Sequence, residues 1–227
     1  MHIVMVLTSH GQLGATRKPT GVWLNEFTQP FYIFREAGAD ITLASPRGGQ
    51  PPIDPASESD DADSEANRRF RSDKQALELF AHTSRLSEIV PDRYDALFFP
   101  GGHGPLWDLS QDNESKRLLQ AFDADEKPIG AVCHGAAAFV YALGGRGRAL
   151  VENRKLTAFT NEEETASGLA DTVPFLLETA LRERGALFQH GPRGQAFCVS
   201  DGNLVTGQNP ASAGRTASAL LQLLGLR

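Results

Sequence analysis

The stretch Lys127-Pro-Ile-Gly-Ala-Val-Cys-His-Gly-Ala-Ala-Ala-Phe-Val-Tyr-Ala-Leu143 constrains this chain more than any other. A short apolar run after a proline reads as a buried strand over Ile129 to Cys133, and the small residues that follow read as a sharp turn into a helix over Gly135 to Leu143. A cysteine at that corner makes a nucleophile elbow: the side chain is held above the sheet, and the first helical amides point at whatever it attacks. Ala131, Gly135 and Ala136 keep so tight a turn free of clashes. The helix N-terminus is expected to favour thiolate over thiol at Cys133. An isolated cysteine is more often small packing filler. Here His134 follows directly and a second glycine-rich strand end lies upstream, which favours reactivity.

That second segment is Tyr94-Asp-Ala-Leu-Phe-Phe-Pro-Gly-Gly-His-Gly-Pro-Leu-Trp107. An apolar run over Asp95 to Phe99, broken by Pro100 and three glycines, predicts a strand end followed by closely approaching backbone. Taken alone, Gly101, Gly102 and Gly104 describe a plain turn. Beside the elbow in a parallel sheet, the amides of Gly102 and His134 would converge near Cys133 as an oxyanion hole.

Around these segments short apolar strands alternate with helical patterns. His2 to Leu7, Asp40 to Ala44 and Leu156 to Phe159 read as strands; Leu24 to Glu36, Glu114 to Ala124, Val173 to Arg184 and Ala211 to Leu224 read as helices. Asp201-Gly202 between two apolar runs is a hairpin signal. The pattern is that of a doubly wound, flavodoxin-like α/β fold, a mostly parallel sheet with helices on both faces, in which ligands bind at the carboxyl ends of the strands. No linker divides the 227 residues, so one domain over 1–227 is expected. Gly48 to Asp73, rich in Pro, Asp, Ser and Glu, reads as a solvated polar excursion, and it lacks the spacing of a calcium loop.

Charge excludes several roles. The formal net charge is −6, and no run of basic residues interleaves with aromatics, so nucleic acid is not an expected partner. No apolar run approaches bilayer length, and the first residues lack the pattern of a secretory leader, so neither a membrane nor export is expected. Cys133 and Cys198 do not make a disulfide scaffold, which predicts a reducing, cytoplasmic setting. His10, His82 and His190 have no partner spacing for a metal, and no metal or cofactor is expected.

Six segments, in order from near one end of the chain to near the other, carry a resemblance. They are Gly21-Val-Trp-Leu-Asn-Glu-Phe27, Phe99-Pro-Gly-Gly-His-Gly-Pro105, Ala131-Val-Cys-His-Gly135, Phe159-Thr-Asn-Glu-Glu-Glu164, Val173-Pro-Phe-Leu-Leu-Glu178 and Leu204-Val-Thr-Gly-Gln-Asn-Pro-Ala-Ser212. Together they resemble the ThiJ/PfpI superfamily, relatives of the class I glutamine amidotransferase domain, and within it the branch of glutathione-independent glyoxalases and chaperone-like proteins. The resemblance implies that Cys133 is the nucleophile, that Glu26 reaches its sulfur, and that His134 and Glu164 complete a triad, with Glu163 as the fallback. From its sequence alone Glu26 reads as a surface helix residue, and at least one of Glu162, Glu163 and Glu164 as an exposed loop carboxylate. His103, close to the elbow, is a candidate substrate contact. A working amidotransferase would need a His-x-Glu pair near the C-terminus, where this chain has Leu204-Val-Thr-Gly-Gln-Asn-Pro, so glutaminase activity is not expected.

The expected chemistry is that of a cofactor-independent glyoxalase, a lyase of the D-lactate dehydratase type acting in methylglyoxal detoxification and stress response. A small aldehyde is the expected partner, and a homodimer the expected assembly. The alternatives are a holdase chaperone, or a cysteine hydrolase or deglycase using the same thiol.

Overall fold

A computed structural model describes residues 1–225. Its strands are β1 (His2–Val6), β2 (Asp40–Ser45), β3 (Ser84–Arg85), β4 (Ala96–Phe99), β5 (Ile129–Val132), β6 (Lys155–Leu156), β7 (Leu187–Phe188), β8 (Cys198–Asp201) and β9 (Leu204–Gly207). The α-helices are α1 (Leu24–Glu36), α2 (Glu65–Ser72), α3 (Lys74–Ala81), α4 (Asn113–Ala124), α5 (Asn161–Ala166), α6 (Leu177–Glu183) and α7 (Ala213–Leu223).

Seven strands form one sheet in the order β3-β2-β1-β4-β5-β9-β8, parallel throughout except for β8, which pairs antiparallel with β9 through the predicted hairpin. The chain runs outward from β1 to β2 and β3, then returns to place β4 on the other side of β1. That reversal opens a crevice at the carboxyl ends of β1 and β4, next to β5, where an open α/β sheet takes its ligands.

The strands are apolar on both faces because helices cover both. On β1, Ile3 and Met5 face one core with Phe27, Phe31 and Phe34 of α1 and Leu220 of α7, while Val4 and Val6 face the other with Leu118, Leu119 and Phe122 of α4. Gly130 of β5 packs closely in the first core, since a Cβ there would lie 2.7 Å from the Phe98 ring.

Four sequence expectations are corrected. Leu156 to Phe159 does not join the main sheet: β6 pairs with β7 in a separate two-stranded unit, which frees Phe159 to turn toward the elbow. The helix expected from Val173 begins only at Leu177, because Pro174 disfavours helical backbone in the residue before it. The segment after Cys133 is a 3-10 run over Cys133–Phe139 and not an α-helix to Leu143. The excursion at Gly48 to Asp73 is partly folded: Asp54 caps a short turn, and α2 sets Asn67 against Thr28 of α1 at 2.7 Å and buries Phe70 in the core.

Candidate active site

The site is built at the end of β5. Cys133 takes a φ of 56°, a left-handed conformation that costs an L residue about 1–3 kcal/mol and persists only where its surroundings enforce it. Gly135 lets those surroundings come close: a Cβ there would sit 2.1 Å from the Phe99 carbonyl oxygen. The elbow therefore packs directly on the end of β4, which pairs in parallel with β5.

Glu26 approaches the sulfur from the first turn of α1. It is fully buried, and its Oε2 accepts the Gly101 amide at 3.0 Å, while the Trp23 amide donates to the Gly101 carbonyl at 3.1 Å. Helix and loop are thereby locked together. Gly101 must be glycine, since a Cβ would lie 2.5 Å from Glu26 Oε2 and 2.9 Å from the His134 amide nitrogen. Burial pushes the Glu26 carboxyl up to about 8, opposed by its hydrogen bonds to Cys133 and the Gly101 amide. The outward-looking sequence reading of Glu26 fails because Leu24 and Phe27 take the rest of that helical turn into the core.

His134 Nδ1 lies 3.4 Å from Cys133 Sγ, and His134 Nε2 lies 2.6 Å from Glu164 Oε2. The neighbouring Glu163 points elsewhere. Its Oε2 accepts the Thr160 amide and hydroxyl in a capping box, and its Oε1 accepts the Gly194 amide at 3.0 Å and the Asn209 side-chain amide at 2.8 Å. Capping commits the third residue of α5 to its own helix and sends the fourth toward the ring.

His103 also reaches Glu164, with Nε2 2.9 Å from Oε1. The His103 and His134 rings lie 4.2 Å apart, and Phe159 lies 4.5 Å from His134 on a ring-to-ring measure. Neither contact was visible in the sequence. Phe159 reads there as the end of a strand, and His103 as a candidate substrate contact in a glycine loop.

Burial and the neighbouring His103 hold the His134 imidazole below its ordinary range, against the pull of Glu164. The two imidazoles hold the Glu164 carboxyl far below the usual carboxylate range, outweighing its burial. Cys133 departs from expectation. Burial first, then Glu26, pushes its thiol up, and the amide of His134 only partly opposes them. A 3-10 run of seven residues also supplies a shorter stack of aligned dipoles than a full helix would. The repulsion from Glu26 requires an ionised carboxyl, and at neutral pH that carboxyl holds its proton. Burial is what keeps the sulfur a thiol there, with His134 Nδ1 in place to remove its proton.

The ligand atoms of His103, His134 and Glu164 lie within 4.8 Å of one another, a grouping of the size a divalent cation needs. Each carboxylate oxygen, however, is already at hydrogen-bond distance from an imidazole nitrogen. We read the cluster as a hydrogen-bonded relay. Beyond the paired Phe99 and Ala131, the loop approaches the elbow at Gly101, where a Cβ would lie 2.9 Å from the His134 amide nitrogen.

The pattern of the DJ-1/PfpI family matches residues 19–223. The chain belongs to the DJ-1/PfpI family. It is 30% identical over 218 residues to the glutathione-independent glyoxalase hsp3101 of Schizosaccharomyces pombe, covering 90% of this chain and 87% of that one. Among solved structures it is similar to glyoxalase III of Candida albicans, with a TM-score of 0.89 and 27% identity over 98% of this chain and 96% of that one. It is also similar to the rapid encystment protein REP24 of Francisella tularensis, with a TM-score of 0.94 and 34% identity over 98% of both chains. Against this DJ-1/PfpI background the geometry brings Cys133, His134, Glu164, Glu26 and His103 together, leaves Glu163 in a helix cap, and leaves His10, His82 and His190 outside the site. His10 instead stacks on Trp107, with the rings 5.1 Å apart. No helix among the described residues is long and apolar enough to cross a membrane.

Proposed function

We propose that this DJ-1/PfpI chain is a glutathione-independent glyoxalase that converts small 2-oxoaldehydes such as methylglyoxal to 2-hydroxy acids. The observation that carries the reading is the fully buried carboxyl of Glu26 beside Cys133, additional to the His134–Glu164 pair, with burial raising its pKa to about 8. In a hydrolase triad the histidine alone serves as both base and acid. An isomerising enzyme has a use for a second acid, because a proton must leave one carbon and another must arrive on its neighbour.

His134 Nδ1 takes the Cys133 proton as the sulfur adds to the aldehyde carbon, forming a carbon–sulfur bond and a hemithioacetal oxyanion that faces the Gly102 and His134 amides. Glu164 accepts from Nε2 and fixes the ring in the tautomer that leaves Nδ1 free. The former aldehyde carbon then loses its proton to give an enediol, and the adjacent carbonyl carbon is protonated, so one carbon is oxidised as the other is reduced. A carboxyl with a pKa of about 8 suits that exchange near neutral pH. The product is a Cys133 thioester, and water cleaves it to the 2-hydroxy acid and the free thiol. The reaction consumes one water and needs no glutathione, nucleotide or metal. The names of the fungal relatives support this substrate class. A homodimer in the cytoplasm belongs to the same proposal.

The test is incubation of the purified chain with methylglyoxal in the absence of glutathione, with lactate read by proton NMR. Lactate formation that is lost in Cys133→Ala is the expected result. Its absence, or its persistence in that variant, overturns the proposal.

A further inference from the structure

We propose that His103 is a positioning residue, which holds the Glu164 carboxylate through its second oxygen and so fixes the His134 ring against the Cys133 sulfur. This rests on His134 acting as the base toward Cys133.

A carboxylate bonded through one oxygen can still swing about its stem; bonded through both it cannot. Glu164 is bonded through both, with Oε2 to His134 Nε2 at 2.6 Å and Oε1 to His103 Nε2 at 2.9 Å. The Ser167 hydroxyl touches Oε1 only secondarily at 3.2 Å, because it donates to the Glu164 carbonyl at 2.7 Å.

His103 is itself held. Gly102 before it has a φ of 89° and packs so closely that a Cβ would lie 2.1 Å from the Gly21 carbonyl; Gly104 after it leaves no room for a Cβ beside Thr8, at 2.6 Å. The His103 carbonyl accepts the Leu106 amide at 3.1 Å, and the side chain is buried. With Nε2 committed to Glu164, the ring acts on the sulfur through the carboxylate and the second imidazole. Four titratable groups face His134: Cys133 beside it, His103 from the loop after β4, and Glu163 and Glu164 from α5. Removing His103 takes away a neighbour that disfavours the imidazolium and frees Glu164 to serve His134 alone. Both changes make His134 easier to protonate.

The experiment compares His103→Phe, which keeps an aromatic ring without a donor, with His103→Gln, whose amide nitrogen reaches the place of Nε2. Folding of both is checked by circular dichroism. Two readouts are taken: methylglyoxal turnover, and the pH profile of Cys133 alkylation by iodoacetamide followed by peptide mapping. For His103→Phe we expect kcat to fall roughly tenfold to a hundredfold with KM nearly unchanged, the size of a hydrogen bond to a charged group. His103→Gln should recover most of that loss. In His103→Phe the acid limb of the alkylation profile should move to higher pH. A raised KM with intact kcat in both variants would make His103 a substrate contact and overturn the proposal. Equal losses in both variants with an unmoved alkylation profile would reduce it to packing, which also overturns the proposal. If the wild-type chain does not turn over methylglyoxal, the functional reading fails while the alkylation profile still decides the role of His103: a shifted limb upholds it, an unmoved limb overturns it.

Discussion

The chain has two free cysteines, each at one end of a strand, and their surroundings have almost nothing else in common. Cys133 follows the carboxyl end of β5 at a φ of 56°, nearly fully buried, with both a carboxyl and an imidazole beside it. Cys198 opens β8 in ordinary extended backbone and lines a groove of about 660 Å³ with Gln29, Ile33 and Arg215. Burial pushes both thiols up. A raised thiol pKa therefore does not distinguish the two cysteines; what separates them is that Cys133 has both an imidazole and a buried carboxyl beside it.

The largest expected effect breaks the symmetry between them directly. Cys133→Ala should lower methylglyoxal turnover on the order of 10⁴-fold or more, as loss of a covalent nucleophile does, whereas Cys198→Ala should leave kcat/KM within about twofold. Steady-state kinetics on the two variants measures it. Comparable losses at both positions would mean that the difference in neighbours carries no chemistry.

The next effect isolates the carboxyl that Cys198 lacks. Glu26→Gln keeps the volume and can still accept the Gly101 amide, but it cannot exchange a proton. Turnover should fall by roughly two to four orders of magnitude, the range of general acid–base help, with the thermal unfolding midpoint preserved or raised. A variant that keeps full turnover would leave Glu26 a buried structural acid.

A smaller effect tests whether His134 and Glu164 act as one unit. If the carboxylate works only by orienting the ring, His134→Ala/Glu164→Ala should be within roughly threefold of His134→Ala alone. Multiplicative losses in single-turnover kinetics would assign Glu164 a separate role.

The difference between the two cysteines was largely legible in the sequence, but not evenly. Val132-Cys-His-Gly135 announces a corner because only small residues there allow so tight a turn, and Asp201-Gly202 announces a hairpin that sets Cys198 in a plain strand. The sheet followed from apolar runs at regular intervals. What could not be read is what depends on a side chain's direction and on through-space distance. Glu26 has apolar neighbours in Leu24 and Phe27, but nothing local shows that its carboxyl reaches the Gly101 amide. Three consecutive glutamates look alike until the capping bonds of Thr160 claim Glu163. His103 and Glu164 are 61 positions apart, and only the packing of Gly102 and Gly104 brings the loop to that carboxylate. The thiol shift was misjudged for a related reason: the sequence shows a helix N-terminus beside Cys133 but not how deeply the sulfur is buried or that an acid lies against it.

The smallest effect compares the two sites by stability and needs no substrate. The folded Glu26 carboxyl titrates at about 8 against an ordinary 4.5, so between these values the native state binds the proton and the unfolded chain releases it. Stability attributable to Glu26 is thus greatest below pH 4.5, falls as pH rises, and is fully spent above about 8. Within that window the slope approaches 1.4 kcal/mol per pH unit for one group. Glu26→Gln removes the term, so its stability gain over wild type should grow by about that much between pH 6 and pH 7 in urea denaturation. Cys198→Ala is the matched control: a thiol pushed above its ordinary 9.0 does not titrate in the window, and the variant should differ from wild type by the same amount at both pH values. A Glu26→Gln difference that stays flat with pH would mean that the carboxyl is ionised throughout. That outcome would remove the proton from the site that the proposed isomerisation needs, even with the geometry around Cys133 unchanged.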